Sequence, residues 1–146
     1  MPNALYYISL KLILRRADGK ILGLKEYQGS YAGWYDLPGG RIAESEFKVP
    51  FVDILKREIQ EELGNIKCKI NPTPVAVGRH LTLAKFSKMG KDVPVFYLFF
   101  EGEYRSGKPK ISDEHSELAW LDLGKPEKHF KSGLLDGLRI YLKGKK

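Results

Sequence analysis

Only one cysteine, Cys68, occurs in the 146 residues. An intramolecular disulfide is therefore excluded, and so is a zinc cluster built on cysteines. Cys68 itself reads as a small buried apolar residue in a strand. Long hydrophobic runs are missing too. The apolar stretch from Ala4 to Leu14 is interrupted by Ser9 and Lys11 and followed by Arg15 and Arg16. Nothing approaches the roughly 20 apolar residues that span a bilayer. The same stretch lacks the basic start and small-residue cleavage site of a signal peptide. A cytoplasmic protein without a membrane partner is expected. No repeat, linker or low-complexity segment divides the chain. One domain over residues 1–146 is expected, long enough for a real core.

Negative charge is in deficit: 25 Lys and Arg stand against 18 Asp and Glu, for a net charge of +7. Such a balance attracts polyanions, whether phosphate-rich small molecules or nucleic acid. The cations are dispersed apart from the tail from Lys143 to Lys146. No Arg-rich helix, zinc finger or aromatic-glycine RNA-binding signature accompanies them. A small nucleotide is favoured as the partner over RNA, and a purely RNA-binding module has only the charge in its support. Oligomeric state stays open, with a homodimer among the alternatives.

What is present is mostly strand. Ala4 to Arg16 is a long first strand, turned by Ala17-Asp18-Gly19-Lys20 into a second over Ile21 to Lys25. Further strands are expected at Trp34–Leu37, Ile66–Ile70, Val75–Leu83, Val93–Tyr104 and Leu118–Leu123. The run VPVFYLFFEGEY from Val93 is too continuously apolar to be half exposed. Ala84 to Asp92 is a basic, glycine-containing loop. Lys128 to Leu142 carries helical spacing at Phe130, Leu134, Leu138 and Tyr141, weakened by Gly133 and Gly137. Tyr27, Tyr31, Trp34 and Tyr35 are candidates for a base or ribose pocket, with core packing the alternative.

The most informative stretch runs from Trp34 to Gly64, WYDLPGGRIAESEFKVPFVDILKREIQEELG. Pro38-Gly39-Gly40 reads as a turn stopping a strand. Pro50 to Leu63 reads as a helix, with proline near its first position and Gly64 just past its end. Val52, Leu55, Ile59 and Leu63 make one apolar stripe. Glu58, Glu61 and Glu62 stand at i, i+3 and i+4 and share a neighbouring face. Three carboxylates there repel one another, and the last turn disfavours negative charge by about 0.3–1 kcal/mol per group. A solvated acidic face is one reading. A site for a hard divalent cation, which prefers oxygen ligands, is the other.

This stretch resembles the signature of the Nudix hydrolase superfamily. The pattern stands here as Gly40, five residues, Glu46, ten residues, and then Arg57-Glu58-Ile59-Gln60-Glu61-Glu62-Leu63-Gly64. The family usually has seven residues where this chain has ten, which reads as a three-residue insertion within Phe47 to Phe51. The helix glutamates keep their spacing, and the role of Glu46 is put in question.

The resemblance implies an α+β fold, a mixed β-sheet sandwiched between helices. It also implies Mg²⁺- or Mn²⁺-dependent cleavage of the pyrophosphate linkage of a nucleoside diphosphate joined to a group X, or of a nucleoside triphosphate. A non-catalytic Nudix domain that binds a nucleotide for regulation is the alternative. Glu58 and Glu62 are the implied principal ligands, Glu61 a further ligand or base, and Gly40 a backbone ligand. Arg57 is expected to hold a glutamate by a charge-assisted bond. The acidic segment Ser112-Asp113-Glu114-His115-Ser116-Glu117 offers Glu114 and Glu117 as an additional ligand or base. His115 reads as a hydrogen-bonding loop residue. No covalent nucleophile is evident: Cys68 lacks an adjacent base, and no G-x-S-x-G turn occurs.

Overall fold

The computed structural model describes residues 1–145. The first strand, β1 (Tyr7–Arg15), is so apolar that both of its faces are covered. It turns through Asp18-Gly19 into β2 (Ile21–Glu26), its antiparallel neighbour. Two short strands follow, β3 (Tyr35–Asp36) on β2 and β4 (Gly39–Arg41) on β1. After helix α1 (Phe51–Leu63) come β5 (Lys67–Ile70), β6 (Ala76–Thr82), β7 (Val93–Ser106) and β8 (His115–Leu121). Helix α2 (Ser132–Gly144) follows β8. β1 and β7 run parallel, from Tyr7 opposite Val95 to Arg15 opposite Glu103. β5 and β6 pair antiparallel with β7, and β8 with β2, so the sheet is mixed.

Period-two alternation divides this sheet into two cores. On one face Ile13, Val95, Tyr97 and Phe99 meet Phe130 and the α2 residues Leu134, Leu138 and Tyr141. On the other, Leu10, Leu12, Leu14 and Phe100 meet Ile54, Leu55, Ile59 and Leu63 of α1. The result is the expected α+β architecture, a mixed sheet between helices. Each fully buried Leu or Ile on α1 stabilises by about 1.5–3 kcal/mol. Truncating Leu55, fully buried, to Ala is a change on the order of 2–5 kcal/mol.

α1 begins where its proline dictates. Pro50 occupies the capping position with φ −57°, and Gly64 ends the helix at φ +82°, its N–H donating to the Gln60 carbonyl at 3.1 Å. Phe47 to Pro50 lie before the helix, and Glu58, Glu61 and Glu62 all fall within it. No helix among the described residues is long and apolar enough to cross a membrane.

Three expectations need correction. Pro38-Gly39-Gly40 does not merely end a strand: Gly39–Arg41 is itself a strand paired with Ser9–Lys11. Only glycine allows it, because Gly39 has φ +144° and a Cβ there would overlap the Leu10 carbonyl. β8 begins at His115, three residues before the expected start, because pairing with Lys25 and Glu26 extends it. α2 begins at Ser132 rather than Lys128; Pro126–Lys128 forms a separate 3₁₀ turn. Gly133 and Gly137, weak helix formers, are there for contact. A Cβ at Gly133 would strike the Arg79 backbone, and one at Gly137 the ring of Phe99.

Candidate active site

α1 lays its acidic face beside β4. A Cβ on Gly40 would stand 2.5–2.7 Å from the carboxylate atoms of Glu58, so the missing side chain lets the backbone and this carboxylate approach. One residue earlier, the Gly39 N–H donates to Glu62 Oε1 at 3.1 Å. Burial raises the pKa of Glu58, against the opposing charge of Arg57. Burial likewise raises that of Glu62, to about 7, although Lys11 and the Gly39 N–H favour its charged form. Desolvated carboxylates one helical turn apart are poor neighbours without a compensating positive charge.

Arg57 supplies part of that charge. Its guanidinium donates to Glu46 Oε2 at 2.7 Å, to Glu58 Oε1 at 3.1 Å, and to both Glu61 oxygens at 3.1 and 3.2 Å. Glu46 is therefore tied to the helix across the residues that precede it. Its other oxygen accepts from the Ala43 N–H at 2.9 Å, and these two contacts lower its pKa. Glu61 points outward, its side chain 61% exposed, in the grip of Arg57. The structure thus groups Glu58 and Glu62 against the glycines and sets Glu61 apart.

The turn before β8 brings a further carboxylate to Glu62. Ligand atoms of Glu62, Glu114 and His115 lie within 4.8 Å of one another. His115 is buried, its Nε2 3.1 Å from Glu26 Oε1 and its Nδ1 3.4 Å from Ser112 Oγ. Burial lowers its pKa, but the hydrogen bond and charge of Glu26 outweigh that and raise it. Both ring nitrogens are engaged by the protein, as the hydrogen-bonding reading expected, though from within a strand. Glu117 is directed elsewhere, accepting a hydrogen bond from Tyr35. Of the two acidic candidates, Glu114 alone is brought to Glu62.

Behind β4 opens a cleft of about 270 Å³, lined by Lys11, Asp36, Gly40, Arg41 and the aromatic residues Tyr31 and Tyr97. Lys11 is buried and bonds both oxygens of Asp36, at 2.9 and 3.1 Å. Burial pulls its pKa down, yet Asp36, with Glu62 adding to it, leaves it raised. Lys11, Asp36 and Tyr97 escaped the sequence because they come from separate strands. One signal existed: Ser9 and Lys11 share the inward face of β1 with Ile13. Of the four candidate pocket aromatics, Tyr31 reaches the cleft, while Tyr35 packs on His129 and Phe130. A larger cavity of about 560 Å³, lined by Arg15, Lys69 and Lys145 among others, contains none of the signature residues.

Fold and site together define a class: a mixed sheet between helices, with a glutamate-bearing helix laid on a glycine strand beside a basic, aromatic cleft. Comparison with known proteins agrees. The family model described as NUDIX domain matches residues 7–135. The MutT protein from Methanosarcina mazei Go1 is 25% identical, covers 100% of both chains and has a TM-score of 0.69. A MutT NUDIX hydrolase from Burkholderia pseudomallei is also 25% identical, with a TM-score of 0.64 over 95% of this chain and 97% of its own. An ADP-ribose pyrophosphatase from Streptococcus suis shares the fold at 18% identity, with a TM-score of 0.61 over 97% and 92%. No curated protein sequence matches. The chain belongs to the NUDIX domain family, as a Nudix hydrolase.

Proposed function

We propose that residues 1–146 form one cytoplasmic Nudix domain that hydrolyses the pyrophosphate linkage of a nucleoside diphosphate joined to a group X, or of a nucleoside triphosphate, with a divalent cation. The observation that carries this reading is the contact of Glu58 and Glu62 with Gly40 and Gly39, at the edge of a cleft lined by Lys11 and Arg41. The donor set suits a hard cation: carboxylate oxygens from Glu58 and Glu62, held against the Gly39–Gly40 backbone. Mg²⁺ or Mn²⁺ bound there would neutralise phosphate charge and make water more acidic.

The chain's own residues do the remaining work. Arg57 holds Glu58 in place and keeps Glu46 and Glu61 from adding free negative charge. Its bonds to Glu61 suit that residue to orienting Arg57. Glu114 is exposed and forms no ion pair among the described residues, so we assign its carboxylate to accept the proton of the attacking water. Arg41 and Lys11 supply positive charge for the phosphates, and Tyr31 and Tyr97 supply apolar surface for the nucleoside.

The test is a panel of nucleoside triphosphates, nucleotide sugars and ADP-ribose, incubated with Mg²⁺ or Mn²⁺ and with chelator. Release of a nucleoside monophosphate that depends on the metal is expected. Turnover undiminished by exhaustive chelation overturns the metal assignment. Tight nucleotide binding without cleavage of any compound overturns the hydrolytic one.

A further inference from the structure

β6 directs Ala76, Gly78, His80 and Thr82 toward the α2 side of the sheet. Three of these are small or packed against backbone; His80 is the exception. Its ring lies against Tyr31, with centroids 4.7 Å apart and planes at 33°. Nδ1 is 2.9 Å from Ser132 Oγ. Nε2 is buried and has no hydrogen-bond partner among the described residues. A buried polar nitrogen left unpaired is destabilising, so a wall built this way is built for a partner.

The position of the ring points to where that partner comes from. His80 lines both the 270 Å³ cleft beside Gly40 and an adjoining recess of about 300 Å³ containing Lys85 and Lys131. Ser30 and Phe86 also belong to both cavities. Phe86 is 45% exposed and outside both cores, so it stands at the open edge of the two cavities rather than in the packed interior. Ser132, which anchors Nδ1, is the single non-glycine residue with positive φ among the described residues, at +56°. That conformation is disfavoured for a residue with a Cβ and is kept where the surroundings require it.

Burial, reinforced by the charge of Lys131, holds the pKa of His80 below its usual value and favours the neutral ring. A neutral imidazole has one N–H. The Ser132 hydroxyl can donate to Nδ1 or accept from it, so Nε2 can present either a donor or an acceptor.

We propose that His80 is a specificity-determining residue of the cleft, its Nε2 forming the hydrogen bond to the heterocyclic edge of the ligand's nucleobase. Tyr31 and Phe86 supply apolar contact around that edge. The phosphates then lie toward Arg41, Lys11 and the glutamate face, at the other end of the cleft. The assignment rests on the nucleotide reading above.

The experiment compares wild-type protein with His80→Phe and His80→Gln. Equilibrium binding is measured for the four common nucleoside monophosphates and for inorganic tripolyphosphate, which lacks a base. kcat and KM are measured for any nucleotide hydrolysed. His80→Phe should weaken the preferred base at least about tenfold, flatten the ranking of bases and raise KM. His80→Gln, which keeps a hydrogen-bonding group, should retain part of the preference. Tripolyphosphate affinity should not move. If either variant fails to fold, Ser132→Ala gives the second reading, a several-fold loss of discrimination.

Unchanged base ranking in His80→Phe overturns the assignment, and so does an equal loss for tripolyphosphate and every nucleotide. Base-selective binding that His80→Phe removes, with no hydrolysis by wild type, sinks the hydrolytic function and leaves His80 as assigned. Hydrolysis with a base ranking indifferent to His80 does the reverse. No nucleotide binding at all overturns both.

Discussion

Glu62→Gln removes a charge at nearly constant size and separates two effects of one carboxylate. The folded protein raises the pKa of Glu62 from 4.5 to about 7, chiefly by burial. A carboxylate with a raised native pKa is bound to more protons in the folded state between those values. Its charged form opposes folding, so the associated stability is fully present below pH 4.5 and lost as pH rises through 7. Converted at 1.36 kcal/mol per pKa unit, the burden above pH 7 is up to about 3 kcal/mol. Glutamine escapes it and still accepts from the Gly39 N–H. In chelator, urea unfolding should find the variant level with wild type near pH 4. It should be more stable by up to about 3 kcal/mol at pH 8. With Mg²⁺ present, turnover should fall on the order of 10²–10⁴-fold. A stability difference that fails to grow between pH 4 and pH 8 would refute the burial argument. Near-normal turnover at saturating metal would refute the ligand assignment.

Arg57→Lys should change stability little, since the ion pairs are exposed, yet lower turnover roughly tenfold or more, because one ammonium cannot hold Glu46, Glu58 and Glu61 in the same geometry; kinetics beside urea unfolding checks it. Gly137→Ala should destabilise by about 1–3 kcal/mol, since its Cβ meets the Phe99 ring, despite alanine's better helix propensity; a stabilised variant in thermal unfolding would contradict this packing. In ¹⁸O-labelled water a single turnover should place label on a phosphate of one product and none on the protein, and mass spectrometry finding a trapped phospho- or nucleotidyl-enzyme would exclude direct attack by water.

The sequence by itself determined what depends on neighbours along the chain. Pro50 and Gly64 bounded α1 because φ restriction and a positive-φ glycine act locally. The spacing of Glu58, Glu61 and Glu62 put them on one helical face for the same reason. The continuous apolar run from Val93 announced a strand covered on both sides. Gly133 and Gly137 misled, because their value lies in backbone approach to β6 and β7, which helix propensity does not contain. The start of β8 was misplaced because pairing with β2 extended it.

Tertiary structure alone decided which acids meet. Glu58, Glu61 and Glu62 are equivalent by spacing, but rotation of α1 about its buried stripe turns Glu58 and Glu62 to the glycines and Glu61 to Arg57. Glu114 and Glu117 lie three residues apart in one acidic segment. The β-bulge at Lys25/Glu26 and the pairing of β8 with β2 leave Glu114 near Glu62 and Glu117 on Tyr35. The cleft draws Lys11 from β1, Asp36 from β3, His80 from β6 and Tyr97 from β7, residues that no periodicity connects. Their meeting is a consequence of strand order, and strand order is set by long-range pairing and burial.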